Sequence, residues 1–183
     1  MISNKTTPQD IFIEGWGRMG GYWGISKVMA EIYAQLYLSE SPLTLEEMSQ
    51  KLKTSRSNIS LNVRGLIELG VVNKVVIRGE RKDYYSAEDN IGKVAKLLAM
   101  AKKKRELDPA MEIVDEALAA SRSMHPNDED PQHQAFMDKL EELKRHMDFV
   151  NSIFLSFVGS EAAAKGDING VEEIKGEAAQ ETT

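Results

Sequence analysis

The chain has 183 residues, enough for one good core or for a small domain with a helical extension. Its hydrophobic fraction of 42% is that of a globular protein. No apolar run approaches the ~18–20 residues that a bilayer span needs, and without cysteine the chain can form neither a disulfide nor a thiolate metal site.

The net charge of −6 averages two unlike halves. Residues 1–105 hold 17 Lys and Arg against 11 Asp and Glu, or +6, whereas residues 106–183 hold 6 against 18, or −12. Such asymmetry suggests that the first half meets a polyanion, although an ordinary domain with an acidic tail would give the same count. The opening MISNKTTPQD has no basic stretch followed by an apolar core. No signal peptide or membrane partner is therefore expected, and a cytoplasmic location is.

Helical periodicity covers residues 9–39, with a weak spot at Gly20 and Gly21. Its second part sets Ile25, Val28, Met29, Ile32 and Leu36 at helical spacing, and residues 39–42 break it. Thr44, followed at the third position by Glu47, is a capping box that opens the next helix, with Leu45, Met48 and Leu52 as the buried stripe. A turn at 53–55 leads into a third helix, capped by Thr54 or Ser55, that runs to about residue 69 with Ile59, Val63, Leu66 and Ile67 on one face. Gly70 suits a left-handed stop. Residues 71–77 are β-branched and apolar apart from Asn73 and Lys74, and read as a strand. A turn at 78–81 and a returning strand at 82–86 complete a hairpin.

After Glu88 the chain is helical again, and Ile91, Val94, Leu97, Leu98 and Ala101 lead into the basic run 102–105. Asp108 followed by Pro109 fits an N-cap with proline at the first helical position, which predicts a kink or a fresh helix. A polar loop is expected over 124–131, then a helix over 132–158. Within that helix Phe136, Leu140, Leu143, Met147, Val150, Phe154 and Phe157 recur at heptad spacing. The small and acidic residues from Gly159 onward predict a disordered tail.

The expected fold is mainly α with a small β-hairpin wing: a winged helix-turn-helix domain plus long helices that form a dimerisation module. The expected segments are 1–41 (packing, dimer contact or effector), 42–89 (winged helix-turn-helix), 90–158 (linker and dimerisation helices) and 159–183 (tail). In such a plan the second helix of the pair lies in the major groove. With Ile59, Val63 and Leu66 inward, the outward face carries Ser57, Ser60, Leu61 and Arg64, with Ser55, Arg56 and Asn58 at the leading end. Arginine pairs with guanine edges, asparagine with adenine, and hydroxyls with phosphates or bases. No Asp or Glu lies between Lys51 and Glu68, so nothing there repels phosphate. The hairpin adds Lys74 in its first strand and, around its turn, Arg78, Arg81 and Lys82, a cationic tip of the kind that enters a minor groove. Helix-capping Ser and Asn with solvated Arg would have the same composition, and winged helices also serve as protein-interaction modules. A docking helix, however, would show large apolar residues where this one has Ser, Asn and Arg, with Leu61 the exception.

The stretch TLEEMSQKLKTSRSNISLNVRGLIELGVVNKVVIRGERKDYYSAED resembles the winged-helix domain of MarR-type regulators. Together with the upstream FIEGWGRMGGYWGISKVMAEIYAQLYL it resembles the GbsR-like subgroup. SRSNISLNVRGL and GERKDYY carry the likeness jointly, and it extends over residues 9–89. The resemblance implies a homodimeric transcriptional regulator, usually a repressor, bound to a palindromic operator in double-stranded DNA. It further implies that the helix at 55–69 reads the major groove and that the tip at 78–82 touches the minor groove or the backbone. GbsR-like members are associated with osmoprotectant uptake or synthesis, and some with choline-type ligands.

A symmetric operator needs two reading heads about one helical turn apart. The seam from Phe136 to Phe157 offers a way to join them, though a heptad stripe serves a core within one chain equally well. Trp16, Tyr22, Trp23, Tyr33 and Tyr37 are concentrated near the start of the chain. Aromatic faces attract a quaternary ammonium, so a small quaternary-ammonium or osmolyte effector is a candidate partner; core and interface packing is the other use for such residues. His125, His133 and His146, with Asp128, Glu129 and Asp130, match no compact ligand set, so no metal or cofactor is expected. With no cysteine, GxSxG, phosphate loop or paired-carboxylate pattern, an enzyme is not expected either.

Overall fold

In the computed structural model, residues 7–124 and 130–164 are described. The chain forms two compact units, one ending at Arg105 and the other beginning at Glu106, the same point at which the charge changes sign.

The first unit holds α1 (Pro8–Met19), a short 3-10 helix (Gly20–Trp23), α2 (Lys27–Tyr37), β1 (Leu43–Thr44), α3 (Leu45–Leu52), α4 (Arg56–Glu68), β2 (Val72–Val75), β3 (Tyr84–Ala87) and the beginning of α5 (Ile91–Met124). Capping boxes at Thr7 and Thr44 open α1 and α3, because each threonine accepts a backbone N–H that the first turn leaves unpaired. α4 ends in a Schellman motif, in which Val71 N donates to Leu66 O (3.1 Å) and Gly70 N to Ile67 O (2.9 Å). The motif needs a left-handed residue, and Gly70 supplies it at φ +75 without a Cβ clash.

The core lies between α2, α3, α4 and the sheet. Ile32, Met48, Ile59, Val63, Leu66, Val71 and Val72 are its fully buried large side chains, each contributing on the order of 1.5–3 kcal/mol. Val94 and Leu98 on α5 belong to the same cluster. Of the expected inner face of the third helix, Ile59, Val63 and Leu66 are buried, whereas Ile67 sits at the rim, 37% exposed.

The sheet has three antiparallel strands in the order β1-β3-β2, with Leu43 opposite Tyr85 and Val72 opposite Ala87. β1 was not foreseen, and the hairpin strands are shorter than the sequence suggests. The tip turns where Glu80 N donates to Ile77 O (3.1 Å), with Gly79 at φ +91 in the position where a type II turn requires positive φ. This is the winged helix-turn-helix architecture.

Two expectations are corrected. α5 is one continuous helix with Pro109 inside it, so of the kink or fresh helix expected at Asp108-Pro109, the fresh helix does not form. Proline removes a single backbone N–H, and the helical stretches on both sides carry the helix past the gap. The last helix, α6 (Pro131–Ala164), runs beyond residue 158, so residues 159–164 are helical and not tail. The remainder of the expected tail, and most of the expected 124–131 loop, lie outside the described residues.

Candidate nucleic-acid interface

The outward face of α4 is built from its N-terminus. Ser55 caps the helix, its Oγ accepting Asn58 N at 3.3 Å and lying 3.2 Å from Ser57 Oγ. Burial of Ile59, Val63 and Leu66 turns the other residues outward. Ser55, Arg56, Ser57, Asn58, Leu61 and Arg64 are exposed and Ser60 is half-buried. Leu61 is 70% exposed, an apolar side chain in the middle of a polar face.

The wing places Arg78, Arg81 and Lys82 in the open. Arg81 and Lys82 share a groove of about 380 Å³ with Arg56, the first residue of α4, and with Thr44, Leu45, Glu46 and Asp83. The fold thus brings together cations that lie far apart in sequence. Among the described residues, none of Arg56, Arg64, Arg78, Arg81 and Lys82 sits in an ion pair. Lys74 differs: it pairs with Asp83 across the hairpin at 2.9 Å, and the Asp83 hydrogen bond raises its ammonium pKa. The Asn58 side chain is engaged as well, its oxygen accepting a bond from Asn62 Nδ2 at 2.8 Å. Sequence reasoning passed over Asn62; its position one turn after Asn58 is the signal that was there to be read.

Trp16, Tyr22, Trp23 and Tyr33 line an apolar cavity of about 270 Å³, together with residues of α4 and α5 that include Leu66, Leu98 and Lys102. The indoles of Trp16 and Trp23 are 4.6 Å apart between ring centroids. Tyr37 is not part of the lining and stacks on Tyr33 at 6.0 Å. Tyr33 Oη donates to Glu88 O at 2.9 Å, and burial pushes its phenol well above the usual range. Lys102 Nζ donates to Tyr22 O at 3.1 Å, and no carboxylate lines the cavity.

In the second unit the heptad seam divides. Leu140, Met147 and Phe154 are half-buried, whereas Phe136, Leu143, Val150 and Phe157 are exposed. Arg122 with Glu141, and Lys144 with Asp115, link α5 to α6. His133 Nε2 lies 3.3 Å from Ser121 Oγ, and no cluster of three or more His, Cys, Asp or Glu groups suited to a metal occurs among the described residues. His125, Asp128 and Glu129 lie outside them. No helix of the described residues is long and apolar enough to cross a membrane.

No family model matches the chain. It is 27% identical over 150 residues to the HTH-type transcriptional repressor GbsR of Bacillus subtilis (strain 168), covering 79% of this chain and 83% of that protein. It is also 27% identical over 169 residues to the putative HTH-type transcriptional regulator YvaV of the same organism, covering 84% and 88%. A crystal structure described as a transcriptional regulator shares the fold with a TM-score of 0.60 at 18% identity, over 86% of this chain and 99% of that one. The likeness to GbsR-like, MarR-type regulators therefore extends past residues 9–89 and takes in most of the chain.

Proposed function

We propose that this chain, like the helix-turn-helix regulators it resembles, is a DNA-binding transcriptional regulator, a homodimeric repressor that grips a palindromic operator. The observation that carries the reading is the convergence of Arg56, Arg81 and Lys82 on one groove, with no ion pair among the described residues to neutralise them. Glu46 and Asp83 share the groove, but neither is ion-paired to these cations, and unpaired cations on two adjoining elements suit a phosphate backbone, whose counterions they would displace. α4 then enters the major groove, where Arg64 and Asn58 meet base edges, and the wing tip follows the backbone into the minor groove.

The test is operator binding measured over a salt series. Arg64→Ala should cost specific binding about 1–3 kcal/mol while sparing random duplex. Arg81→Ala should weaken binding to all sequences and reduce the salt slope by about one. Wild-type binding by both variants would sink the assignment and favour the protein-docking use of the winged helix.

Two finer features belong to the same reading. The exposed column Phe136, Leu143, Val150 and Phe157 recurs every seventh residue, the spacing at which a helix presents one side to a partner helix, and a second copy covers it. The aromatic cavity is the effector site, where ring faces would hold the trimethylammonium group of a choline-like or betaine-like osmolyte. Both tryptophans of the chain line it, so their fluorescence reports occupancy. Titration with choline or glycine betaine should shift that emission and lower operator affinity together; no response in either signal removes the effector from the scheme.

A further inference from the structure

The first turn of α4 is braced by side chains that begin on another helix. Ser26 caps α2, its Oγ accepting Met29 N at 3.1 Å, and the same hydroxyl donates to Asn62 Oδ1 at 2.9 Å. With its oxygen engaged by Ser26, the Asn62 amide has one orientation left, and its Nδ2 points along α4. It donates to Asn58 O and to Asn58 Oδ1, both at 2.8 Å. Nearby, α2 and α4 approach so closely that a Cβ on Gly65 would come within 3.0 Å of the Met29 methyl, which fixes the spacing of the two helices beside this link.

The consequence falls on Asn58. A carboxamide offers an acceptor oxygen with two lone pairs at one end and two N–H donors at the other. Reading adenine in the major groove uses both ends, since the oxygen accepts from N6 while the nitrogen donates to N7. Here the oxygen faces Asn62 and accepts from it, so the amide is held with its N–H donors on the side away from Asn62, and that is the end offered to DNA. A donor matches the paired acceptors N7 and O6 of guanine and finds no second acceptor on the adenine edge.

We propose that Asn62 is a specificity-determining positioning residue: braced by Ser26, it holds Asn58 as a donor, so that the operator position facing Asn58 is guanine in preference to adenine. The inference rests on α4 being the DNA-reading helix. Ile25, the residue before Ser26, lines the aromatic cavity, so the brace is anchored at the wall of that cavity.

The experiment is selection of duplexes from a randomised pool by the full chain, followed by affinities for the selected operator with guanine or adenine at each position. Wild type should prefer guanine at one position per half-site. Asn62→Ala frees the Asn58 amide to rotate, and the guanine-to-adenine affinity ratio there should fall roughly 5- to 100-fold, with random-duplex binding unchanged. Asn62→Asp keeps the shape and the bond from Ser26 but has no N–H to donate, so it should relax the same position even where the alanine variant folds poorly. Asn58→Ala should abolish the preference, and adding Asn62→Ala to it should change nothing more. An unaltered ratio in both Asn62 variants overturns the proposal, as does an equal loss at every position accompanied by a lower unfolding midpoint. A wild-type chain that selects no sequence overturns instead the reading of α4 on which the proposal stands.

Discussion

Thr44 and Glu47 hold together the junction from which the helix-turn-helix starts. The Glu47 carboxylate accepts Thr44 N–H and Thr44 Oγ–H, each at 2.7 Å, and Glu47 N donates back to Thr44 Oγ at 3.2 Å. The backbone bond first, and the hydroxyl bond after it, hold the Glu47 carboxyl below the ordinary carboxylate range. The folded state therefore favours the ionised form. Its contribution is complete above the unfolded glutamate value of about 4.3 and is lost as pH falls through the lower folded value. Glu47→Gln keeps a capping side chain but cannot titrate, so its urea midpoint should fall less than that of wild type on acidification from neutral pH to about pH 3. An equal fall would mean that other carboxylates dominate, Asp10 being the first candidate because Thr7 lowers its pKa in the same way. The Thr44–Glu47 spacing was legible because capping is local chemistry. Asn62 was not, since its brace Ser26 is 36 residues away in sequence and only the packing of α2 on α4 brings them together.

Among the elements, the helices were readable because each shows its apolar period over several turns. β1 was not: two residues are too few to show alternation, and its place is set by pairing with Tyr84 and Tyr85. Pro109 misled for a related reason. The Asp-Pro pair carries the local mark of a helix start, and the surrounding helix overrode it. On α6 the seam looked uniform in sequence, yet packing within the second unit leaves every seventh residue of it exposed and half-buries the others. Asn151 lies on the half-buried side, and its Oδ1 is buried with no hydrogen-bond partner among the described residues. Such an oxygen costs about 1–3 kcal/mol. Asn151→Leu should therefore raise the denaturation midpoint by a matching amount. A fall would show that the oxygen is hydrogen-bonded in solution, as to a buried water.

At the scale of the whole molecule the change of charge sign and the boundary of the compact units coincide at Arg105–Glu106. The charge count was legible from composition. What it could not supply was the grouping of wing and α4 cations, which depends on the hairpin folding back beside α4. The division also predicts a separable defect. Val150→Asp places a charge in the exposed column of the second unit and should yield monomers by sedimentation. Their operator affinity should drop roughly 10²- to 10⁴-fold, because two linked heads bind far more tightly than one, while the first unit stays folded. A dimer that survives would move the self-association surface elsewhere on the chain. Leu61, left 70% exposed between Ser60 and Arg64, carries a further consequence. A leucine offers a base edge no hydrogen bond, only contact with the C5 methyl of thymine. If α4 reads DNA as proposed, that face would also be sensitive to pyrimidine methylation. It would separate thymine from uracil, and methylated from unmodified cytosine, so that a chemical mark on the operator could alter occupancy with no change in its base sequence.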